Sequence, residues 1–388
     1  MEKDTEDDHS FMEDDELSFI DPSEVIEEID YDLRPPSDDE NLTADEKDGD
    51  ELHADGSRAT FEGHSSVVYT VEIDRSNPRN VLTGGGDDRG FLIDLSKDLQ
   101  IASHHELSGH TDSVCSVGFS HDGQLFSTAS FDGRIFVWDS QLKTQKFCLE
   151  GPDEIEWIDW HSQGPIILAG GRDGTVWMWL ASTGECMQVF TGHEGTVTCG
   201  KFTSNGRLIV TGGEDQSVRV WSPKNGTCRH IFKGFGFHEG SLTCLAVHPD
   251  PEQSAVVLSG SEDGTARLLH LQNKKVLATF VHSAEVGSES GEDMEGEKSF
   301  SVEGVGFFRR RKWCFTGGMD GYAKVWDIVN GNCRISCKHP MGVTKVIAHP
   351  SEDVIYSSCV DGKCREWDIL QGSCLRTFDG HKEIVNDF

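Results

Sequence analysis

The side chains most able to do chemistry in this 388-residue chain are histidines, aspartates and hydroxyls that recur at fixed spacing. His64, His110, His193 and His238, the first three in Gly-His pairs, stand 22 to 25 residues before Asp87, Asp132, Asp215 and Asp263 respectively. His339 keeps that interval to Asp361 without the Gly, and Asp173 and Asp320 hold the aspartate position in two further units. With a Ser or Thr nearby, a His-Asp pair has the makings of a hydrolase triad, the histidine serving as general base and the aspartate orienting it. The same trio five times over points instead to a structural role, so no catalytic residue is assigned.

The stretch LAGGRDGTVWMW (168–179) raises the alternative of a phosphate-cradling loop. Its glycines lead into a strand-like run and lack the Gly-Lys-Ser/Thr ending that such a loop uses to hold phosphate and magnesium, so they read as turn residues. Twelve cysteines invite a metal or disulfide reading, but no Cys-x-x-Cys occurs. Cys186, Cys228, Cys333 and Cys374 each follow Gly-x at one position of a repeat, which predicts buried or half-buried thiols, one per outer strand, in a reducing compartment. Neither a metal nor a cofactor is expected.

What positions these residues is an internal repeat. Seven stretches from TGGGDDRGFLID (83–94) to SSCVDGKCREWD (357–368) carry an aspartate six residues before a position usually held by Trp. Successive aspartates are 41–57 residues apart, and between them lie short apolar or alternating runs such as SVCSVGF and RIFVWD, broken by Gly, Asp, Asn and Ser. Four short strands per unit fit this spacing and helices do not.

These units resemble the WD-repeat family, in which each repeat makes one four-stranded blade of a β-propeller. The expected fold class is therefore all-β: a WD-repeat β-propeller over residues 57–388 with seven complete repeats and a truncated eighth, preceded by a disordered acidic arm. The resemblance implies a buried network in each blade joining the histidine, a Ser or Thr, the turn aspartate and the Trp. The hydroxyls would be Thr83, Thr128, Thr211, Ser259, Thr316 and Ser357. The unit carrying Asp173 departs, with Ala169 at the hydroxyl position and GPDEIEW (151–157) where Gly-His should stand, so Asp173 is expected to serve its turn alone. At the far end GHKEIVNDF (380–388) opens an eighth repeat, and RATF (58–61) reads as an outermost strand. Either the chain is a shortened isoform or an incomplete gene model, or the ring closes as seven blades with CLRTF (374–378) completing the last.

Charge is distributed unevenly. Residues 1–55 hold 24 Asp and Glu against Lys3, Arg34 and Lys47, a net −21 out of the chain's −34. Such a segment cannot bury enough apolar surface to offset its ordering entropy. Residues 1–56 are expected to be mostly disordered, with a helix-prone motif at 21–30 where Asp21, Pro22 and Glu24 form a capping box. The run SAEVGSESGEDMEGEKS (283–299) is expected to be a disordered acidic insertion. FFRRRKW (307–313), although import-like, falls between two strands and reads as a solvated turn. No basic-then-apolar leader and no long apolar run occur, so a soluble, cytoplasmic chain with possible nuclear access, no membrane span and a monomeric state is expected.

Family geometry places the loop before each turn aspartate and the loop before each innermost strand on one rim. Asp112, Asp153, Glu154, Glu194, Glu214, Glu239 and Glu262 fall there, with Arg172 as the main basic exception. Such a rim would focus a negative potential over the central channel, repelling nucleic acid and drawing in a basic polypeptide. EIEWIDWHSQGPIILAGGRDGTVWMW (154–179), FKGFGFHEGSLTC (232–244) and the acidic arm further resemble the angio-associated migratory cell protein family. Its fungal relatives include a WD-repeat factor that chaperones a large-subunit ribosomal protein by holding its basic N-terminal segment. The expected function is therefore a non-enzymatic chaperone for a basic ribosomal protein; the alternative is a scaffold in cell migration, angiogenesis or receptor signalling.

Overall fold

The computed structural model of the protein describes residues 59–282, 300–381 and 383–387. The arm, its helix-prone motif and the 283–299 insertion lie outside the described residues. The rest is a run of seven four-stranded antiparallel sheets, each built from consecutive strands. Numbered in chain order, blades 1 to 7 span residues 68–107, 114–150, 155–191, 199–232, 242–281, 302–338 and 343–379. The turn aspartates sit between the second and third strands of each blade. Tight reversal there requires a left-handed residue just after the aspartate: glycine in five blades, for example Gly133 at φ 76°, and Asp88 and Gln216 in blades 1 and 4.

The hydrophobic pattern explains why blades stack. Second and third strands are sandwiched between neighbouring sheets, and Leu125–Ser130 is buried at every position. Outermost strands are more exposed and can alternate, because one face meets water, as in Lys275–Val281. Six apolar clusters, each shared by two successive blades, fill the six interfaces from blade 1 to blade 7. Burial of a single Leu, Ile or Trp in such a layer contributes about 1.5–3 kcal/mol, so the stack is held mainly by these layers.

No such cluster joins blade 7 to blade 1 among the described residues, and the C-terminal segment lies in that position. Val385 is buried, and its carbonyl accepts from Thr344 Oγ1 at 2.6 Å. Thr198 Oγ1 makes the same bond to Leu242 O, and Thr243 Oγ1 to Val302 O, each reaching the first residue of the next blade's innermost strand. Asp387 completes the junction, accepting from Val71 N of blade 1 at 3.0 Å and pairing with Lys345 of blade 7. Seven blades form, and of the two expectations for the end of the chain this is the seven-blade one. CLRTF forms the outermost strand of blade 7, Cys374–Asp379, and residues 384–387, outside any strand, are bonded to both blade 7 and blade 1. Residues 59–61 of RATF are not strand-paired; Phe61 packs against Phe91 of blade 1 at 5.2 Å between ring centroids.

The Thr243 and Thr344 bonds depend on a β-bulge that recurs near the start of the innermost strand. The extra residue, Tyr69, Cys115, Glu156, Thr243, Glu303 or Thr344, is released from the ladder and re-aimed, which is what a bulge does to a side chain.

Candidate interaction rim

Antiparallel order fixes which loops share an end of the propeller. The start of a blade's first strand, its second turn and the end of its fourth strand must lie together. Hydrogen bonds tie these loops to one another: Ser130 Oγ donates to Asp112 O at 2.8 Å, and Thr196 N to Glu214 Oε2 at 3.1 Å. All seven acidic residues assigned to the rim therefore sit on one face, over blades 2 to 5.

Beneath the rim lies the His-Asp network. In blade 4 Trp221 Nε1 donates to Thr211 Oγ1 at 2.8 Å, Thr211 lies 2.7 Å from His193 Nε2, and His193 Nδ1 lies 3.0 Å from Asp215. Because the Asp215 carboxylate can only accept, His193 Nδ1–H donates to it; in the neutral ring Nε2 is then the acceptor and takes the Thr211 hydroxyl proton, while the Thr211 oxygen accepts from Trp221. Blade 2 repeats the relay through Trp138, Thr128, His110 and Asp132. Blades 1 and 5, which lack the Trp, keep the remainder: His64 bridges Thr83 and Asp87, and His238 bridges Ser259 and Asp263. In all four, the residue after the histidine (Ser65, Thr111, Glu194, Glu239) also donates its backbone N–H to the aspartate. Burial alone would raise the Asp215 and Asp263 carboxyls, but hydrogen bonds from the histidines and from Ser217 and Thr265 hold both well below the usual carboxylate range.

Blade 6 contains a member that spacing did not reveal. His282 lies 2.9 Å from Asp320 and 2.6 Å from Thr316, with both His282 and Asp320 side chains fully buried. The 283–299 insertion follows His282 directly and stretches the interval to 38 residues, and Val281 replaces the preceding Gly. The signal was Phe280, which stands near the end of the outer strand as Phe190 and Phe232 do.

The pairing of His339 with Asp361 in blade 7 is corrected. His339 keeps Ser357 at 2.7 Å, but Nδ1 turns to Cys337 O at 3.1 Å, and Asp361 pairs with Arg365 at 2.5 Å. The cause is Pro340: without an N–H it cannot supply the backbone donor found in blades 1, 2, 4 and 5, and the Arg365 fork takes the carboxylate instead. Burial, and then the nearby Arg365 charge, push the His339 imidazole down to about 4. The histidine is thus neutral in the fold, while the unfolded chain binds a proton below its ordinary value of 6.5. Its contribution is complete above pH 6.5 and is lost as pH falls toward 4, a loss of roughly 3 kcal/mol. Urea titrations between about pH 7.5 and about pH 4.5 are expected to show a visibly shallower pH slope in His339→Gln than in the unaltered chain; identical slopes would refute this origin.

Blade 3 replaces the network with an apolar plug. A Cβ built on Gly171 would lie 2.5 Å from Pro152, where those on Gly85, Gly213 and Gly318 would meet the imidazoles of His64, His193 and His282. Pro152 therefore fills the histidine's space and Ala169 needs no hydroxyl partner. Asp173 is exposed and accepts from Thr175 N and Oγ1 at 2.9 and 2.7 Å.

On the rim itself Asp112, Asp153, Glu194, Glu214, Glu239 and Glu262 are exposed and Glu154 is half-buried. Glu154 pairs with Arg172, and Glu194 with Lys233 at 3.3 Å. Glu156, absent from the sequence-based set, carries the acidic surface inward; burial, then the neighbouring carboxylates, raise it against the pull of Arg172. The channel below differs from the rim. A cavity of about 520 Å³ is walled by Glu72, Asp159 and Asp387 but also by Arg75, Lys201 and Lys345. Asp159 pairs with Lys201 at 2.8 Å as Asp387 does with Lys345, so the negative character belongs to the rim over blades 2 to 5.

All twelve cysteines are free, and the expectation of buried thiols is corrected for Cys186, Cys228, Cys333 and Cys374, which are exposed because the outermost strand shows that face to water. The RRRK turn lies between Val302–Phe307 and Trp313–Gly318, with Arg311 paired to Asp353 and stacked over Trp313 at 4.5 Å. Among the described residues no helix is long and apolar enough to cross a membrane.

Repeated blades with a His-Asp network under a loop-built rim define a WD-repeat propeller, a class that serves as a protein-interaction scaffold. The chain belongs to the WD domain, G-beta repeat family, whose pattern matches residues 102–139, 143–179, 184–222, 226–269, 291–327 and 331–368. It is 32% identical over 397 residues to the angio-associated migratory cell protein of Homo sapiens, covering 96% of this chain and 89% of that one. The dog protein (Canis lupus familiaris) of the same name is 31% identical over 398 residues, with the same coverage. In fold, the chain matches the crystal structure of the Saccharomyces cerevisiae Sqt1 with a TM-score of 0.76 at 22% identity, over 86% of this chain and 91% of that one. The first three strands of blade 1, where Ile93 stands at the Trp position, fall outside the family matches.

Proposed function

We propose that this protein is a non-enzymatic, monomeric cytoplasmic chaperone that holds the basic segment of a ribosomal protein on its acidic rim during large-subunit assembly. The observation that supports this reading is the succession of exposed carboxylates across four adjacent blades, from Asp112 through Asp153, Glu194 and Glu214 to Glu239. An extended Lys/Arg-rich polypeptide would meet charge at every step, whereas an RNA phosphate backbone would be repelled. The sequence resemblance to ribosome-assembly factors supplies the client class. A scaffold in cell migration or receptor signalling is the second reading, favoured by the name of the mammalian relatives.

Calorimetric titration with a Lys/Arg-rich ribosomal-protein peptide tests the proposal. Attractions between solvated charges are individually modest and screened by salt, so affinity is expected to fall at least about tenfold between low and physiological ionic strength. A pull-down from cytosol separates the two readings. Ribosomal protein in the eluate supports the chaperone; signalling proteins without it put the scaffold first.

A further inference from the structure

The acidic arc covers only half of the rim. At the position just before the turn aspartate, Glu214 and Glu262 of blades 4 and 5 give way to Met319 and Val360 in blades 6 and 7. In the loop before the innermost strand, where Glu194 and Glu239 follow the histidine, blade 7 has Pro340 and then Met341 and blade 1 has Ser65 with Val67 two residues on; Ile384 lies in the equivalent C-terminal loop. Met319, Met341, Ile384, Val67 and Tyr69 are 37–50% exposed. Two pairs of these loops are in contact. A Cβ on Gly342 would touch the Met319 sulfur at 2.7 Å, and one on Gly86 the Tyr69 ring at 3.3 Å; Tyr69 in turn meets Phe131 of blade 2 edge-on at 6.3 Å between centroids. The carboxylates of this half include Glu383 and Glu62, exposed, Asp379, paired with Lys363 at 3.1 Å, Asp88 in the blade 1 turn, and Glu303, held by Ser301 Oγ at 2.5 Å.

Exposed apolar side chains that share part of a rim mark an interaction surface, and methionines adapt to varied occupants. A second copy of this chain would bring like-charged arcs together. The occupant must instead carry positive charge for blades 2 to 5 and apolar side chains for the rest. We propose that the rim recognises a bipartite segment, a Lys/Arg run flanked by apolar residues, with the apolar flank seated across Met319, Met341 and Ile384. This rests on the chaperone reading above and specifies its client.

The test uses peptides sharing one Lys/Arg run, flanked by Gly and Ser, or by Leu and Phe on the N-terminal or the C-terminal side. Fluorescence anisotropy at physiological salt is expected to show one apolar-flanked peptide binding about tenfold tighter, the gain from burying one or two further apolar side chains. Met319→Gln/Met341→Gln should erase that advantage and leave the Gly/Ser peptide unchanged. Ile384→Ser, elsewhere on the arc, should reduce it independently of any local repacking at Gly342. Equal affinity for all peptides, or an advantage surviving the double substitution, overturns the bipartite surface and leaves the chaperone reading standing. Failure of every peptide to bind overturns both.

Discussion

A chain carrying Lys at Asp153, Glu194 and Glu239 is expected to lose affinity for a Lys/Arg-rich ribosomal peptide by about a hundredfold. Three reversals change the local charge by six units; at about 0.5 kcal/mol for each solvated attraction removed or turned into repulsion, the sum is near 3 kcal/mol. The structure selects these three. Glu154 is paired with Arg172 and Glu214 accepts from Thr196 N, so reversing either disturbs the loops as well as the field. Asp153, Glu194 and Glu239 are exposed, and the pair Glu194 makes with Lys233 is a solvated one. The substituted chain should therefore keep its melting temperature, and most of the affinity loss should come through slower association. Unchanged affinity at low salt would mean that the rim carries solubilising charge only, and the scaffold reading would lead.

The repeat made the fold legible, because Asp-Gly turns and apolar runs are local features whose period survives in a single sequence. The network was legible only where its interval held. His282 escaped because an insertion changed the interval without changing the packing, and the His339 pair was expected because an interval carries no record of whether Pro340 can donate. Both exceptions follow from hydrogen-bond accounting: a buried carboxylate keeps its donors, whichever residues provide them. The ring junction was half legible. GHKEIVNDF read as the start of a repeat, but where it docks depends on bonds between residues more than 40 apart, such as Thr344 to Val385 O and Val71 N to Asp387. The apolar half of the rim left no sequence signal, since Met319, Met341, Ile384 and Val67 come to share one face only once the blades are arranged in a ring.

Asp215→Ala is expected to cost roughly 3–5 kcal/mol, and Asp173→Ala no more than about 1 kcal/mol, in urea unfolding near neutral pH. The two aspartates occupy the same position of the repeat and the same turn. They differ in what each must satisfy. Asp215 is almost wholly enclosed and accepts from His193, from Ser217, from the backbone N–H of Glu194 and from Arg219. Its loss would leave an imidazole N–H, a peptide N–H and a guanidinium beneath the rim without their acceptor, and unmet buried donors cost more than the bonds contribute. Asp173 accepts from Thr175, while Pro152 already fills the imidazole's place. The comparison also separates turn geometry from network energy, because both substitutions remove the side chain that accepts from the second residue onward, Thr175 or Ser217. Equal destabilisation would show that the turn alone sets the cost and that the network under the rim contributes nothing beyond it. A gap of at least about 2 kcal/mol, closing when Asp215→Ala is combined with His193→Ala, would assign the difference to the shared bonds.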